Sequence, residues 1–433
     1  MTVLLITNTF PFGPGESFIE AEIPYLEASF DKVVILPLKG RKGMAEEPKR
    51  PLSEKVQVIL PRESIIDRTF PRFRDIPAFT AMLLRVLAAE CSTLKTALHV
   101  LKPKHFVLTC LRANRAVLYE REYKRLISEH GIGEHIVYSY WVDAWLAGIL
   151  NHTRKQHYPV NVISRAHRGD LYNESSSFGY QTCRKFIFKH ITQVYPISYN
   201  GKAYLLERYP ELERKISVFH LGVTRQDSIP ELPENAVFTS LSCSFVSPVK
   251  RVDLILAALD KLPADVPAQH YHIGNGPLLE AMQQQQQSQE SAGNSKITWT
   301  GYKTQEELLD FYRSNRIDVF INVSKSEGVP VSIMEAISFG IPVIATDVGG
   351  TSDVVRPEFG YLLPENFAVE ELVAHLLDLQ SKTPEEHRRM SRAAFDFATA
   401  HFDADANFRA FCAELRRVAG ADRGNRQPAL DLI

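Results

Sequence analysis

Two glutamates in the C-terminal half of the chain have a spacing that could bind a polyol. Glu327 and Glu335 stand eight positions apart in the stretch SEGVPVSIMEA. A carboxylate accepts two hydroxyl hydrogens at once, so each side chain could hold a sugar diol. Each glutamate also completes a capping-box pattern, since Ser324 and Ser332 lie three residues before them. Considered separately, each glutamate therefore keeps a purely structural alternative.

A helix start lies between the two glutamates. Pro330 and Gly340 predict its ends, because proline favours the first turn of a helix and glycine the position after the last. The amides of Val331 and Ser332 would then be free donors at a helix N-terminus, where anions bind. A ligand with phosphates in the middle and hydroxyl groups at both ends fits this order. A nucleotide sugar has that layout: sugar, diphosphate, ribose.

Further candidates follow other predicted strands of the C-terminal half. Lys250, in FVSPVKR, could neutralise a diphosphate as a point charge, and Arg251 beside it could add charge or only face solvent. Taken by spacing alone, Lys250 is more often an exposed lysine at a helix start. Gly274 in IGNGP and the pair Gly301-Tyr302 in TGY lie at strand ends, where glycine lets backbone approach a ligand.

The N-terminal half offers two loops. His167, in VISRAHRGDLY, could donate a hydrogen bond or shuttle a proton, or it could be a structural histidine beside a turn. Gly13 and Gly15, in FGPGES after the first strand, could wrap a phosphate or a sugar. The dinucleotide fingerprint is incomplete there, because the third glycine is missing. The sequence shows no Ser-His-Asp arrangement and no metal-spaced cluster of histidine and cysteine.

The elements that must position these residues form two β-α-β series. Apolar runs such as TVLLIT and KVVILPL are typical of buried parallel strands, and they alternate with amphipathic helices. The series restarts after KISVFHLGV, which predicts two Rossmann-like domains, 1–222 and 223–399, in a chain too long for one core. We interpret 283–295, QQQQQSQESAGNS, as an exposed loop and 421–433 as a frayed tail.

Composition excludes several classes of protein. Hydrophobic residues make up 45% and charged residues 23%, which is typical of a globular chain, and the net charge of −1 gives no attraction to nucleic acid. The five cysteines show no metal spacing and predict reduced thiols in a cytoplasmic protein. The N-terminus lacks the pattern of a signal peptide, and the sequence has no apolar run of roughly 18 residues, the length that spans a membrane.

One segment is locally basic. Residues 61–125 contain 13 Lys/Arg and 6 Asp/Glu, and stretches such as RTFPRFR mix the cations with aromatic and aliphatic groups. Such a segment is either an ordinary solvated helix surface or a surface that meets an anionic membrane. The second interpretation predicts a peripheral place on the inner face of the membrane and an acceptor that is linked to lipid.

The stretch EGVPVSIMEAISFGIPVIATDVGG resembles the signature of the retaining family 4 glycosyltransferases, which have the GT-B fold: Glu, seven residues, Glu, then a Gly-Gly loop. VSPVKRVDLILAAL, IGNGP, VISRAHRGDLY and ITWTGY follow the order of that family. The resemblance implies an α/β fold of two Rossmann-like domains that face each other across a cleft. It also implies an N-terminal acceptor domain, a C-terminal donor domain, and a helix at about 400–420 that packs back on the first domain.

The resemblance also implies roles for individual residues. Glu327 would contact hydroxyls of the transferred sugar, Glu335 would hold the ribose, and Lys250 would bind the diphosphate. His167 would lie near the transferred sugar and the acceptor, so Glu327, His167 and Lys250 are the predicted catalytic residues. The predicted donor-binding residues are Gly15, Lys250, Arg251, Gly274, Gly301, Tyr302, Glu327, Gly328, Val331, Ser332 and Glu335.

Three positions depart from the family pattern. Ser244 stands where many members have an arginine that binds diphosphate, and Arg251 could compensate. Pro330 replaces a glycine, and Asp353 follows the Gly-Gly loop in place of a glutamate.

The implied activity is that of a retaining, metal-independent hexosyltransferase without a cofactor. It would move a sugar from a nucleotide-diphosphate sugar to a saccharide, in exopolysaccharide, capsule or lipopolysaccharide biosynthesis. Two alternatives stay open: a nucleotide-sugar epimerase, and a catalytically degenerate GT-B scaffold.

Overall fold

A computed structural model describes residues 1–12, 16–38, 52–61, 71–156, 160–176, 178–233, 237–289 and 295–420. The chain divides into two compact units. The first contains Met1–Ile197, Gly201–Phe219 and the chain from Phe408 onward, and the second contains Ser198–Asn200 and His220–Asn407. The predicted frayed tail, 421–433, lies outside the described residues.

The first unit is built on a parallel sheet of six strands in the order β3-β2-β1-β4-β5-β6. The strands are β1 (Thr2–Thr7), β2 (Lys32–Pro37), β3 (Val56–Val58), β4 (His135–Ser139), β5 (Val162–Ala166) and β6 (Gln193–Pro196). The helices are α1 (Ile23–Ser29), α2 (Ile76–Glu90), α3 (Leu94–Val100), α4 (Pro103–Glu129), α5 (Ala144–Thr153), α6 (Arg168–Leu171), α7 (Arg184–His190) and α8 (Tyr199–Arg208). Short 3-10 turns cover Ser17–Ile19, Phe73–Asp75, Asn173–Ser175 and Pro210–Lys215.

The second unit repeats this topology. Its parallel strands lie in the order β12-β11-β10-β7-β8-β9. They are β7 (Phe238–Cys243), β8 (Ala268–Ile273), β9 (Ser295–Gly301), β10 (Val319–Asn322), β11 (Val343–Thr346) and β12 (Gly360–Leu363). The helices are α9 (Val252–Asp260), α10 (Leu279–Gln289), α11 (Gln305–Ser314), α12 (Val331–Ser338), α13 (Thr351–Val354), α14 (Val369–Ser381) and α15 (Pro384–His401).

The apolar runs explain both sheets. The strands β1, β4, β5 and β11 are buried almost throughout, as parallel strands covered by helices on both faces must be. In each unit the first and fourth strands are neighbours, and the strand order reverses there. Loops that follow these two strands meet at this switch point, where doubly wound sheets bind ligands. The predicted α/β class with two doubly wound sheets is confirmed.

The last helix, α16 (Ala404–Ala419), completes the core of the first unit. Phe411, Cys412 and Leu415 are buried in the cluster that contains the apolar residues of β1 and β2. The guanidinium of Arg165, on β5, lies 3.8 Å from the ring centroid of Phe411. The predicted helix at about 400–420 therefore exists and packs on the first unit. The acceptor and donor roles of the two domains remain predictions.

The predicted loop at 283–295 is wrong for its first half. Gln283–Gln289 belongs to α10, because glutamine is a good helix former and Met282 is buried as an anchor. Gln286 also donates to the carbonyl of Ile297 and accepts a 2.6 Å bond from the indole of Trp299. Low complexity here marks the exposed side of a helix.

Two other features were predicted from sequence composition. None of the helices in the described part of the chain is both long and apolar enough to cross a bilayer. All five cysteines are free thiols.

Candidate functional site

Lys250 and Glu327 meet at the switch point of the second unit. Lys250 follows β7 and Glu327 follows β10, and these strands are adjacent. The Lys250 Nζ donates to Glu327 Oε1 at 2.5 Å, and the amide of Asn322 approaches the same oxygen at 3.3 Å. The Glu327 side chain is 11% exposed and the Lys250 side chain 26%. The tertiary fold thus joins two residues that are 77 positions apart in the chain.

The helix start predicted after Glu327 is present. Helix α12 begins at Val331 with Pro330 as its N-cap, and Ile333 and Met334 donate to the Pro330 carbonyl. Among the residues that the structure describes, the amides of Val331 and Ser332 have no acceptor. These two donors are therefore available to an anion at the helix N-terminus.

Neither glutamate forms a capping box. The Glu327 carboxylate is bound by Lys250 and Asn322, and Ser332 lies inside α12 instead of at its N-cap. Glu335 lies in the middle of α12 and accepts a 2.8 Å bond from the Gln305 amide. The capping-box alternative for the two glutamates is thus removed by their observed partners.

Glu335 is almost fully buried, with 6% of its surface exposed. Burial raises the pKa of its carboxyl to about 7, and the hydrogen bond from Gln305 opposes this shift only in part. A buried carboxyl with one protein partner has acceptor capacity left for hydroxyl groups.

The Gly349-Gly350 loop holds the backbone of Glu327 in place. Gly350 donates a 2.7 Å bond to the carbonyl of Gly328. Gly349 has φ of +58°, and a Cβ there would lie 1.9 Å from the Glu327 carbonyl oxygen. Only glycine fits, because any side chain would push the two loops apart. After this loop, Asp353 accepts a 2.5 Å bond from the Tyr199 amide.

A second close approach joins the ends of β7, β8 and β9. Gly274 has φ of +136°, and a Cβ there would lie 2.0 Å from the Ser244 carbonyl oxygen. The Gly274 amide donates to Gly301 at 2.8 Å, so the two predicted turns lie side by side. Tyr302 extends beyond them with 72% of its surface exposed. These turns can present backbone and an aromatic ring to a planar group such as a base.

Arg251 stabilises the backbone of the neighbouring loops. Its guanidinium donates to the backbone carbonyls of Val323, Ser324 and Glu365, at 2.7, 3.3 and 2.6 Å, and lies over the ring of Phe367. With these donors engaged, the expectation that Arg251 replaces the missing arginine at Ser244 is not supported by its contacts. Arg251 instead locks the loop that carries Lys250 to the loop that follows β10.

A buried polar ladder underlies these loops. Ser240 and Ser242 on β7 alternate with His270 and His272 on β8, with three consecutive contacts of 2.8 Å between hydroxyl and ring nitrogen. The ladder ends 3.2 Å from the Ser244 carbonyl. Burial lowers the pKa of His270 to about 3 and that of His272 to about 4, so both rings are neutral. The ladder gives the sheet a satisfied polar interior below the site.

The switch point of the first unit is organised by Glu16, which the sequence analysis missed. Its carboxylate accepts the amides of Asn8, Thr9 and Phe10 at 2.9, 2.7 and 2.8 Å. It also accepts the indole N–H of Trp141 at 2.5 Å. Glu16 thus ties the loop after β1 to the loop after β4. The signal was its place directly after the sequence FGPG, although Gly15 itself lies outside the described residues.

His167 lies in an aromatic cluster at this point. Its ring centroid is 4.7 Å from those of Tyr140 and Trp141 and 6.1 Å from that of Phe18. Burial, followed by the charge of Arg165, lowers the pKa of His167 to about 3. The ring is therefore neutral and can donate one hydrogen bond and accept another, but it does not carry charge.

Asp170 positions the backbone around His167. Its carboxylate accepts the His167 amide at 2.7 Å and the Val142 amide at 2.5 Å, and burial raises its pKa to about 7. The loops after β4 and β5 are thus held together by one carboxyl group.

The described residues contain no group of three or more His, Cys, Asp or Glu side chains that could hold a metal ion. The metal-independent chemistry implied by the sequence remains a prediction. The predicted residues fall into two sets, one in each unit: His167 in the first, and the others that the structure describes in the second.

Comparisons with known proteins agree with this division. Residues 226–397, all within the second unit, match the family model of glycosyl transferases group 1. The chain is 27% identical over 185 residues to the O-antigen biosynthesis glycosyltransferase WbnH of Escherichia coli, which covers 42% of this chain and 50% of that protein. The chain thus spans about half the length of this relative.

Solved structures resemble nearly the whole chain. The apo form of the lipopolysaccharide outer core galactosyltransferase WaaB has a TM-score of 0.66 at 17% identity and covers 96% of this chain and 99% of its own. Anabaena HepE, solved in complex with UDP, has a TM-score of 0.65 at 14% identity, with 96% and 100% covered. At these identities the likeness shows the fold, and the chain has the GT-B fold.

Proposed function

We propose that this chain is a retaining hexosyltransferase that moves a sugar from a nucleotide-diphosphate sugar to a saccharide acceptor. The observation that carries the proposal is the ion pair of Lys250 and Glu327 at the switch point of the second unit. A cation, an N-terminal helix end and two carboxyl groups there match the order of a nucleotide sugar: diphosphate at Lys250 and α12, transferred sugar at Glu327, and ribose at Glu335.

The ion pair suggests how the site accepts its donor. A diphosphate competes with the Glu327 carboxylate for Lys250, which leaves Glu327 free to accept hydroxyl hydrogens of the sugar. In the reaction, the bond between the anomeric carbon and the diphosphate oxygen breaks, and the acceptor oxygen bonds to that carbon from the same face. The acceptor proton passes to the departing diphosphate. Lys250 and the amides of Val331 and Ser332 stabilise the charge that develops there.

The first unit is proposed to bind the acceptor. The neutral His167 ring offers one hydrogen-bond donor and one acceptor. Trp141 and Phe18 offer the apolar surfaces on which sugar rings pack. No group in this cluster carries a free charge that would attract a second phosphate. The acceptor is therefore proposed to present a saccharide, in a pathway of the O-antigen, capsule or exopolysaccharide type.

The location and the linkage of the acceptor are part of the same proposal. A saccharide linked to lipid would be reached by a cytoplasmic chain that sits peripherally on a membrane. The name of the relative from Escherichia coli, an O-antigen biosynthesis enzyme, supports a saccharide acceptor.

A screen of nucleotide sugars by thermal shift, followed by turnover of each stabilising donor, tests the proposal. Glu327→Ala should abolish transfer while nucleotide affinity stays within a few fold, because Glu327 contacts the sugar and not the nucleotide. Glu306→Ala, which changes an exposed glutamate on α11, is the matched control and should behave as the wild type.

Two outcomes would replace the proposal. Full activity of Glu327→Ala would remove the assigned site. Absence of both nucleotide binding and turnover would leave a degenerate scaffold, and conversion of a nucleotide sugar without an acceptor, to an epimeric nucleotide sugar, would leave an epimerase.

A further inference from the structure

The buried polar ladder of β7 and β8 ends on an atom that can only accept a hydrogen bond. The Nε2 of His272 lies 3.2 Å from the carbonyl oxygen of Ser244. A carbonyl oxygen carries no proton, so the ring must donate there, and Nε2 is its protonated nitrogen. A neutral imidazole has one N–H, which leaves the Nδ1 of His272 as an acceptor. The Ser244 carbonyl thus sets the tautomer of His272.

The direction of the other contacts in the ladder follows from this tautomer. Ser242 must donate its hydroxyl proton to the Nδ1 of His272, at 2.8 Å. The Ser242 oxygen therefore accepts from the Nε2 of His270, also at 2.8 Å. The Nδ1 of His270 then accepts from the Ser240 hydroxyl at 2.8 Å. Every hydrogen bond in the ladder points toward Ser244.

Both rings are neutral, as this direction requires. His270 and His272 are 0% exposed, and their partners in the ladder are hydroxyls and one carbonyl, which carry no charge. Burial, the largest cause, lowers the pKa of His270 to about 3 and that of His272 to about 4. Aligned hydrogen bonds polarise one another, so the ladder acts on the Ser244 carbonyl as one unit.

The Ser244 carbonyl shares its peptide group with the N–H of Phe245. This peptide is trans, and in a planar trans peptide the C=O and the N–H point in opposite directions. The Ser244 carbonyl points toward His272 on β8. The Phe245 N–H therefore points to the other side of β7, where β10 is the neighbouring strand.

The amides on either side of Phe245 agree with this alternation. Ser244 donates to the carbonyl of Ile273, at the end of β8, and Val246 donates to that of Asn275, just after it. These bonds are 3.0 and 2.9 Å long. Among the residues that the structure describes, the Phe245 amide has no acceptor. It is therefore a free donor that faces away from β8.

The free amide lies in the loop that carries Lys250. This loop contacts the loop after β10 directly, since the Lys325 amide donates to the Val249 carbonyl at 2.7 Å. The loop after β10 carries Glu327, the partner of Lys250. The Phe245 N–H and the Lys250 cation thus face the same neighbouring loop.

We propose that the ladder positions a phosphate donor: it holds the Ser244–Phe245 peptide so that the Phe245 N–H donates to the diphosphate. The inference rests on the proposed function, because it concerns the diphosphate that Lys250 is proposed to bind. It assigns a backbone donor to the place where Ser244 stands instead of an arginine. His272 is a positioning residue, since it acts through the Ser244 carbonyl and does not touch the ligand.

The tautomers are tested first, without any ligand. Ring-nitrogen chemical shifts of the full chain, labelled with ¹⁵N-histidine, distinguish the Nε2–H tautomer, the Nδ1–H tautomer and the charged ring. Spectra of His270→Gln and His272→Gln assign the signals of the two rings. We expect the Nε2–H tautomer for both rings at neutral pH.

Affinity for a diphosphate then tests the role of the ladder. The probes are UDP, GDP and inorganic pyrophosphate, and calorimetry well below the unfolding temperature measures Kd. His272→Leu removes the donor to Ser244 and should weaken binding about tenfold, as for one hydrogen bond to a charged group. His272→Gln should stay within about threefold of the wild type, because its side-chain amide can donate in place of Nε2. A ladder that only fills the sheet interior would lower the unfolding temperature without changing Kd.

A matched control keeps the binding test specific. His375→Leu removes a histidine of α14 that stacks on Tyr361 and lies outside the ladder. This variant should bind the probes as the wild type does. Circular dichroism and the unfolding temperature establish that each variant is folded.

Four results would overturn the inference. They are an Nδ1–H or charged ring at His270 or His272, a folded His272→Leu variant that binds the probes as the wild type does, a folded His272→Gln variant as weak as His272→Leu, and a wild type that binds none of the probes. After any of the first three, sugar transfer by the wild type and its loss in Glu327→Ala would leave the proposed function standing. The fourth would also remove the diphosphate site proposed at Lys250.

Discussion

The two units share one strand order, yet their switch points hold opposite kinds of chemistry. In both, the loops after the first and fourth strands are joined by a carboxylate. In the second unit, Glu327 is bound by the cation of Lys250. In the first unit, Glu16 is bound by three backbone amides and an indole. In the proposed function Glu327 exchanges its partner for a ligand, whereas Glu16 is part of the framework.

This difference shows how one strand topology can place charged groups in one unit and neutral rings in the other. The sheet determines where loops converge, and the side chains determine what the convergence can bind. The second unit places a lysine, a helix start and two carboxyl groups at its loops, which suits a charged nucleotide. The first unit places neutral rings around His167, which suits an uncharged sugar. The following predictions test this contrast, from the largest expected effect to the smallest.

Lys250→Met removes the cation from the candidate site of the second unit. Removal of the cation leaves the departing diphosphate without its main countercharge, and we expect kcat to fall about 10²–10³-fold, as for loss of one transition-state donor. Steady-state kinetics with the best donor measure this. Lys261→Met, at an exposed ion pair with Glu370, should keep normal kcat. A kcat within twofold of wild type for Lys250→Met would show that the ion pair is only structural.

Glu335→Gln tests the same site through the pH dependence of the free energy of unfolding. The folded-state pKa of Glu335 is raised from 4.5 to about 7, so the folded state favours the protonated form. The stability from this carboxyl is therefore present below pH 4.5 and is lost as the pH rises toward 7. We expect wild-type stability, relative to Glu335→Gln, to fall by about 3 kcal/mol across this window.

Urea unfolding of both proteins at several pH values between 4 and 8 measures the difference. A difference between the two proteins that stays constant over this range would show that Glu335 is solvated in the folded chain. It would also remove the argument that a buried carboxyl there awaits a ligand.

Glu16→Gln should weaken the contact between the loops after β1 and β4 in the first unit. The amide group of glutamine leaves some of the four N–H donors without an acceptor, which costs about 1–3 kcal/mol. We expect transfer at low acceptor concentration to fall about tenfold, while the Kd for the nucleotide stays unchanged. The control is Glu20→Gln, at an exposed position. An equal loss of nucleotide affinity would contradict the separate roles of the two units.

Arg251→Ala should have the smallest effect on catalysis. The variant loses hydrogen bonds to three carbonyls, so we expect a loss of about 1–3 kcal/mol in the free energy of unfolding. If Arg251 only clamps the loops, kcat measured well below the unfolding temperature should stay within about threefold. A loss as large as that of Lys250→Met would restore Arg251 as a ligand of the diphosphate.

Much of the fold could be predicted because it depends on local patterns. Continuous apolar runs such as TVLLIT and KVVILPL predict buried parallel strands, and these two runs coincide with β1 and β2. Pro330 and Gly340 predicted α12, which runs from Val331 to Ser338. The low-complexity composition of 283–295 predicts a loop, but Gln283–Gln289 is helical. The buried Met282 and the good helix propensity of glutamine are sufficient to form the helix.

The candidate site could be predicted only in part. Glu327, Glu335 and Lys250 stand in recognisable stretches, but their partners are distant in sequence. Glu16 was missed because its role depends on Trp141, which is 125 positions away.

The sequence by itself determined the alternation of strands and helices, the loops that carry reactive groups, and the basic character of 61–125. Only the tertiary structure decided which groups are free. It engaged Arg251 with carbonyls, paired Arg112, Arg121, Lys124 and Arg125 of α4 with carboxylates, and left leucines of α3 exposed. The physical reason is that hydrogen bonds, ion pairs and burial depend on neighbours in space, and a chain brings these together only when it folds.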